Sequence, residues 1–90
     1  MNQVFEALAH PVRRDILKLL RKRAMCAGDI AEHFPIAKPT LSGHFTVLKN
    51  AGLVTTQRQG TTIMYHLNMS VMEEALGAFM ALAGTKGKER

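Results

Sequence analysis

The sequence predicts a mainly α-helical domain with one small β-hairpin, in the order α-α-α-α-β-β-α. Apolar residues recur at helical spacing in five segments, and before the last of these the chain alternates apolar and polar residues around Gln59-Gly60, as a hairpin does. Ninety residues suit one domain, whose small core would gain from a second subunit. We therefore expect a single domain over residues 1–84 and a polar tail over residues 85–90.

The first two helices are separated by a proline. Val4, Phe5 and Leu8 give residues 2–9 an apolar face, and Pro11 cannot continue that helix but suits the first turn of the next. The apolar stripe of the second helix, over residues 11–23, consists of Val12, Ile16, Leu19 and Leu20. Six basic residues occupy the rest of this helix, and a solvated face is their simplest interpretation.

Two short helices joined by a turn come next. The third helix covers residues 27–33, and the turn "FPIA" connects it to a fourth helix over residues 38–50. Leu41, Phe45 and Leu48 form the buried stripe of the fourth helix. Its other faces carry small, uncharged side chains, whereas a solvent-facing helix normally carries Glu, Lys, Ala or Gln. Such a pair of helices is typical of a helix-turn-helix.

A glycine ends the fourth helix, and a hairpin follows it. Gly52 stands just past the last apolar helical position, where helices usually end. Residues 53–67 then read as two strands around Gln59-Gly60. A helix-turn-helix followed by such a hairpin predicts a winged helix-turn-helix, with residues 53–67 as the wing.

The last helix, over residues 70–83, carries more apolar surface than one small subunit can cover. Ser70 is its expected N-cap, and Glu73 stands at the capping-box spacing from it. We expect this helix to pack with the first helix against a second copy of the chain, and burial within one subunit is the alternative. The expected homodimer contacts are Val4, Phe5, Leu8, Met72, Leu76, Phe79 and Met80.

The distribution of charge indicates the kind of partner. The chain has a formal net charge of +5, and all seven acidic residues lie outside residues 33–72. That window holds Lys38, Lys49 and Arg58 among many hydroxyl and amide side chains, which suits a polyanion whose base edges are read at close range. A solvated basic face is the alternative, and the absence of carboxylates in this window favours double-stranded nucleic acid.

Several other classes of protein are disfavoured. The sequence has no Ser/His/Asp arrangement in a nucleophile-elbow context, no phosphate-binding glycine loop with a lysine and no carboxylate pair in a plausible cleft, so we expect no enzyme and no cofactor. It lacks the apolar run of about 18 residues that membrane insertion needs. Its first residues do not resemble an export signal, and the single Cys26 excludes an intramolecular disulfide, which together favour a cytoplasmic location.

The motifs, taken in order, resemble those of a known family. "FEALAHPVRRDILKLL", "GDIAEHF", "KPTLSGHFTVLKNAGLV", and "RQG" before "YHL" are similar to the ArsR/SmtB family of bacterial winged-helix repressors over residues 4–83, and within it to the short SdpR-like autorepressors. The resemblance implies a homodimer that binds an operator with the fourth helix in the major groove and blocks transcription. Two-fold symmetry would make that operator palindromic. The DNA-binding residues that the resemblance implies are Lys38, Thr40, Ser42, Gly43, His44, Arg58 and Thr61.

Three of these residues leave alternatives open. His44 could donate to a phosphate or could pack between the fourth helix and the wing. Gly43 and Thr61 stand where relatives often carry basic residues. A second hypothesis is therefore a winged-helix module for protein–protein interaction that has lost specific DNA binding.

The metal sites that many relatives carry are incomplete here. Relatives use a Cys-x-Cys pair before the third helix, but this chain has "CAG", which leaves Cys26 as the only thiol. The last helix offers Glu73 and Glu74, which are adjacent and point in different directions. We expect no metal site. Cys26 is either an inert small residue or a redox-active thiol, and an unidentified regulatory protein or ligand remains a possible further partner.

Overall fold

The computed structural model describes residues 1–84, so the predicted polar tail at residues 85–90 lies outside the described part. The elements are α1 (Asn2–Leu8), α2 (Pro11–Lys22), β1 (Met25–Cys26), α3 (Ala27–Ala31), α4 (Lys38–Asn50), β2 (Val54–Gln59), β3 (Thr62–Leu67) and α5 (Met69–Ala83). This order confirms the predicted winged helix-turn-helix. None of the helices within the described residues is long and apolar enough to cross a membrane.

The core lies between the helices and the base of the wing. Leu41, Phe45 and Leu48 of α4 are all buried, which confirms the predicted stripe, and Ile30 of α3 belongs to the same cluster. The rings of Phe45 and Tyr65, with centroids 5.0 Å apart, join α4 to β3. Because α4 is held along one side only, its opposite side remains at the surface.

The sheet has three strands, whereas the sequence predicted two. β3 lies in the middle and is antiparallel to β2 on one side and to β1 on the other. In β1, Met25 pairs with Tyr65 and Cys26 pairs with Met64. A strand of two residues is too short to show alternation, so periodicity could not reveal it. This pairing fixes the base of the wing to the segment between α2 and α3.

The start of α5 also differs from the prediction. The helix begins at Met69, and its N-cap is Asn68, whose Oδ1 accepts a hydrogen bond from the Val71 N–H at 3.4 Å. Ser70, the expected N-cap, lies inside the first turn. Asn and Ser cap helices about equally well, so the end of β3 at Leu67 decides which of them is used.

α2 and α3 differ from the prediction in smaller details. Leu17 is buried in the core, while Leu19, which the sequence placed in the apolar stripe, is only half-buried. α3 ends at Ala31 rather than at His33. Both differences leave the helix-turn-helix arrangement unchanged.

Glycine occurs at residue 43, within α4, and at residue 52, just after it, for different structural reasons. Gly52, just after the helix, has a φ of +79°, and its N–H donates to the Lys49 carbonyl at 2.9 Å. Gly43 is in the middle of α4, and a Cβ at this position would meet no atom within 4 Å. The backbone conformation therefore requires glycine at residue 52, but the fold does not require it at residue 43.

Alanine substitutions at these two glycines should change stability in opposite directions. Gly43→Ala should raise the free energy of unfolding by about 0.5–1 kcal/mol, because alanine favours the helix. Gly52→Ala should lower it by about 1 kcal/mol, because alanine is strained in the left-handed region. Urea unfolding followed by circular dichroism, at one protein concentration, measures both. A destabilised Gly43→Ala protein would contradict our conclusion about residue 43.

Candidate nucleic-acid interface

The exposed side of α4 carries most of the residues that the resemblance assigns to DNA. Lys38, Thr40, Ser42 and Gly43 are all exposed; Thr40, Ser42 and Gly43 lie outside the buried stripe, and Lys38 stands at the start of the helix beside Leu41 and Phe45. No side chain caps the N-terminus of α4, so the backbone N–H groups of its first turn can meet an anion. This side of α4 therefore offers small side chains, hydrogen-bond donors and no negative charge.

Two hydroxyl groups on α4 differ in their availability. The Thr46 hydroxyl donates to the Ser42 carbonyl oxygen at 3.1 Å, so it is already used within the helix. The Ser42 hydroxyl has no hydrogen-bond partner among residues 1–84. The Ser42 hydroxyl can therefore form a hydrogen bond with a bound molecule. A substitution at Thr46, whose hydroxyl is already bonded, is the matched control for a substitution at Ser42.

The wing adds a cation near its tip. Arg58 lies in β2, is exposed and pairs across the hairpin with Ile63. Gly60 and Thr61 form the exposed tip between the strands. In the part of the chain that the structure describes, Arg58 and Lys38 have no ion-pair partner, since the single ion pair there joins Asp15 and Lys18 on α2. The positive charges of α4 and the wing are thus available to a polyanion.

His44 is the exception among the predicted DNA-binding residues. Its side chain is only 9% exposed, and its Nδ1 lies 3.2 Å from Nη1 of Arg13. Its ring stands 4.4 Å from the His10 ring, measured between centroids. These contacts lie at the corner between α1 and α2, so the interpretation that His44 packs toward the wing is wrong. Burial also makes it a poor candidate for a phosphate contact.

The contacts of His44 define its protonation state. Arginine can only donate a hydrogen bond, so His44 Nδ1 accepts one and the neutral ring carries its proton on Nε2. Burial, followed by the nearby His10 and the Arg13 guanidinium, lowers the pKa of His44 from its ordinary value of 6.5. His44 is therefore neutral at neutral pH.

Sequence reasoning missed the role of Arg13. It placed all six basic residues of the predicted second helix, residues 11–23, on a solvated face. However, Arg13 is half-buried and donates from Nε to the Ala7 carbonyl at 2.8 Å and from Nη2 to the Glu6 carbonyl at 3.0 Å. Arg14 Nη1 donates to the Leu8 carbonyl at 2.9 Å. Both arginines thus donate to carbonyl groups at the C-terminal end of α1, where no further helical turn supplies N–H donors. The proline that starts α2 is the sequence signal that brings them there.

A wide apolar face lies between α1 and α5. It forms an open groove of about 580 Å³. The predicted contacts that line this groove are Phe5, Leu8, Met72, Leu76 and Phe79. Leu76 and Phe79 are each 62% exposed, and Leu82, which the prediction omitted, is 79% exposed. Val4 does not belong to this face because it is 6% exposed and lies in the core of its own subunit.

Possible metal ligands are dispersed in this structure. Within residues 1–84 no three His, Cys, Asp or Glu side chains stand close enough together to hold a metal ion. Cys26 is half-buried at the N-cap position of α3, and its backbone pairs with Met64.

Comparison with known proteins identifies relatives of this chain. Residues 10–56 match a family model described as "Bacterial regulatory protein, arsR family". The transcriptional repressor SdpR of Bacillus subtilis (strain 168) is 47% identical over 76 residues, which cover 84% of this chain and 84% of that protein. The arsenical resistance operon repressor of Staphylococcus xylosus is 38% identical over 73 residues, which cover 81% of this chain and 70% of that protein. A crystal structure of an ArsR family transcriptional regulator superposes with a TM-score of 0.84 at 27% identity, covering 99% of this chain and 97% of that one.

The lowered pKa of His44 should make the fold less stable in acid. Folded His44 takes up a proton less readily than unfolded His44, so its contribution is complete above pH 6.5 and is lost as the pH falls from 6.5 through the folded-state pKa. Asparagine keeps an acceptor near the position of Nδ1 but does not titrate. His44→Asn should therefore reduce the pH dependence of the free energy of unfolding below pH 6.5. Urea titrations at several pH values measure it, with His33→Asn, at an exposed position, as the control. If the free energy of unfolding depends on pH equally in wild type and His44→Asn, His44 is not the group responsible for the loss of stability in acid.

Proposed function

This chain belongs to the ArsR family of bacterial regulatory proteins, and we propose that it is a DNA-binding transcriptional repressor that acts on a palindromic operator as a homodimer. The relatives named above are regulators and not enzymes. The observation that carries the proposal is the exposed surface of α4 formed by Thr40, Ser42 and Gly43, which is small, uncharged and free of carboxylates although it belongs to a well-anchored helix. A surface of this kind lets a helix backbone approach the base edges of the major groove.

The exposed residues take different roles in the proposed complex. Thr40, Ser42 and Gly43 face the bases, where hydroxyl groups donate or accept and the missing side chain of Gly43 lets the backbone come close. Lys38 and Arg58 face phosphates. Thr61, exposed at the wing tip, adds a hydroxyl contact to the same phosphate backbone. His44 takes no direct part, because its side chain is buried against α2.

The apolar face between α1 and α5 supports a homodimer. Leu76, Phe79 and Leu82 expose more apolar surface than a small monomer normally leaves in water. A second copy offers the same face, so a two-fold contact buries both at once. Phe5 and Leu8 of α1 complete the interface. Two-fold symmetry then sets the paired α4 helices about one DNA turn apart, with half-sites about 10 bp from centre to centre.

The protein–protein interaction module is not favoured as an alternative. It drew its support from Gly43 and Thr61, which replace residues that are often basic in the family. The fold does not require glycine at residue 43, so that glycine fits close approach to DNA better than loss of DNA binding. Lys38 and Arg58 also remain available to phosphates, in a window without carboxylates.

Substitutions on α4 and the wing should separate specificity from affinity. Ser42→Ala should cost about 1–3 kcal/mol of binding on the operator and little on scrambled DNA, because a base contact is lost. Arg58→Ala should weaken both complexes similarly and flatten the salt dependence by about one phosphate charge per subunit. Fluorescence anisotropy over a salt series, with the chain's own promoter fragment and a scrambled duplex, measures both effects.

Thr46→Ala is the matched control for Ser42→Ala. It removes a hydroxyl from the same helix, but one that is already bonded to the Ser42 carbonyl. It should leave operator binding unchanged. If Ser42→Ala and Arg58→Ala lower operator and scrambled binding in the same proportion, the assigned roles are wrong.

A charge in the apolar groove should dissociate the proposed homodimer. Phe79→Glu would bury a carboxylate in the interface, so it should yield monomers or unfold the chain, and it should abolish operator binding with two-fold stoichiometry. Ala81→Glu places the same charge at an exposed position on α5 that does not line the groove, and it should leave the dimer intact. Sedimentation velocity at micromolar concentration measures the association state. A well-folded wild-type monomer at that concentration would disprove the homodimer.

A further inference from the structure

One guanidinium group connects the two functional surfaces. All three nitrogen atoms of Arg13 are hydrogen-bonded: Nε and Nη2 donate to the Ala7 and Glu6 carbonyls of α1, and Nη1 donates to His44 Nδ1 on α4. Because a guanidinium is planar and rigid, these bonds fix the end of α1 relative to the middle of α4. α1 contributes Phe5 and Leu8 to the apolar groove, and α4 carries the exposed side assigned to DNA.

We propose that Arg13 is a positioning residue that couples the dimer helix α1 to the DNA-reading helix α4 through its hydrogen bond to His44. The proposal rests on the function proposed above. A shift of α1, such as docking of a second copy would produce, reaches α4 through this bond. His44 directly follows Gly43, so the turn of α4 that Arg13 holds is the turn whose opposite side faces the bases.

The neighbouring arginine shows that capping α1 does not by itself explain Arg13. Arg14 also donates to a carbonyl of α1, that of Leu8, but within residues 1–84 no hydrogen bond joins its side chain to α4. Both residues carry the same charge and stand side by side at the start of α2. What distinguishes Arg13 is the bond to His44, which spans 31 positions in the sequence.

The coupling depends on neutral histidine. His44 Nδ1 must accept from Arg13, and His10 Nδ1 accepts from the Val12 N–H at 3.1 Å, so both of these neighbouring, mutually tilted rings use Nδ1 as an acceptor. The groups that face His44 are His10 and Arg13, and no carboxylate from α1, α2 or α4 faces it in the described residues. Protonation of His44 at Nδ1 would remove the hydrogen bond and place an imidazolium beside a guanidinium. Acid should therefore uncouple the two helices.

The test compares four variants for binding to operator and scrambled duplexes. Arg13→Gln and His44→Leu remove the bond, and each should lower operator affinity about tenfold, as loss of one hydrogen bond to a charged group does. Scrambled binding and the salt slope should not change, because no phosphate contact is lost. Arg14→Gln removes the same charge and should leave the ratio of operator to scrambled binding as in wild type. His44→Asn should keep that ratio at neutral pH and also in acid, where the wild type loses it as the pH falls through the lowered pKa of His44.

Amide hydrogen exchange of the free protein tests the coupling without DNA. Arg13→Gln and His44→Leu should speed exchange in α4, while Arg14→Gln should affect only the end of α1. The two substitutions at Arg13 and His44 should be non-additive, since they remove the same bond. Thermal unfolding checks that each variant is folded, and His44→Leu replaces Arg13→Gln if the latter is not.

The possible failures are distinguishable. Equal effects of Arg13→Gln and Arg14→Gln on α4 exchange and on the binding ratio would overturn the coupling. A flattened salt slope with Arg13→Gln on both duplexes would also overturn it, because Arg13 would then be a direct phosphate contact. If the wild type binds both duplexes equally, the proposed function fails, and the exchange experiment alone decides whether Arg13 holds α4.

Discussion

Burial of Leu41, Phe45 and Leu48 is the interaction on which the rest of this structure depends. These three side chains attach one side of α4 to the core, so the helix does not need large or charged residues on its other side to remain in place. The sequence can then use that free side for small groups that would be poor choices on an ordinary surface helix. Gly43 illustrates this freedom, because packing elsewhere offsets the helix propensity that it lacks.

The remaining elements orient α4 from its two sides. On one side, the contact between Phe45 and Tyr65 ties it to the central strand of the wing. On the other side, the contact between Arg13 and His44 ties it to the end of α1. The first contact is apolar and depends little on pH, whereas the second is polar and requires a neutral imidazole. The two attachments therefore respond to different conditions, although they hold the same thirteen-residue helix.

Local sequence patterns predicted the structural features that repeat along the chain. They did not predict features that depend on a single contact between residues distant in sequence. The stripe of α4 and the hairpin were predictable because their periodicity extends over many residues. β1 has only two residues, and the choice of Asn68 over Ser70 as a helix cap depends on where the preceding strand ends. The contact of Arg13 with His44 joins residues far apart in sequence, so a single sequence without geometry shows only a basic helix face and a histidine that could meet a phosphate or pack against the wing. The assigned DNA contacts rest on family resemblance and exposure, and remain proposals.

The short strand β1 divides the wing into a part that pairs with β1 and an outer part that does not. Its two residues pair with Met64 and Tyr65, so β1 holds this part of β3 in place. The part of the hairpin from Ile63 to the tip extends beyond β1. Arg58 pairs with Ile63, the first residue of β3 beyond the part that pairs with β1. The Arg58 guanidinium therefore belongs to the outer part of the hairpin, which within residues 1–84 is attached to the fold through the β2–β3 pairing alone. In the proposed complex, this cation meets the duplex from a part of the wing that is supported independently of α4.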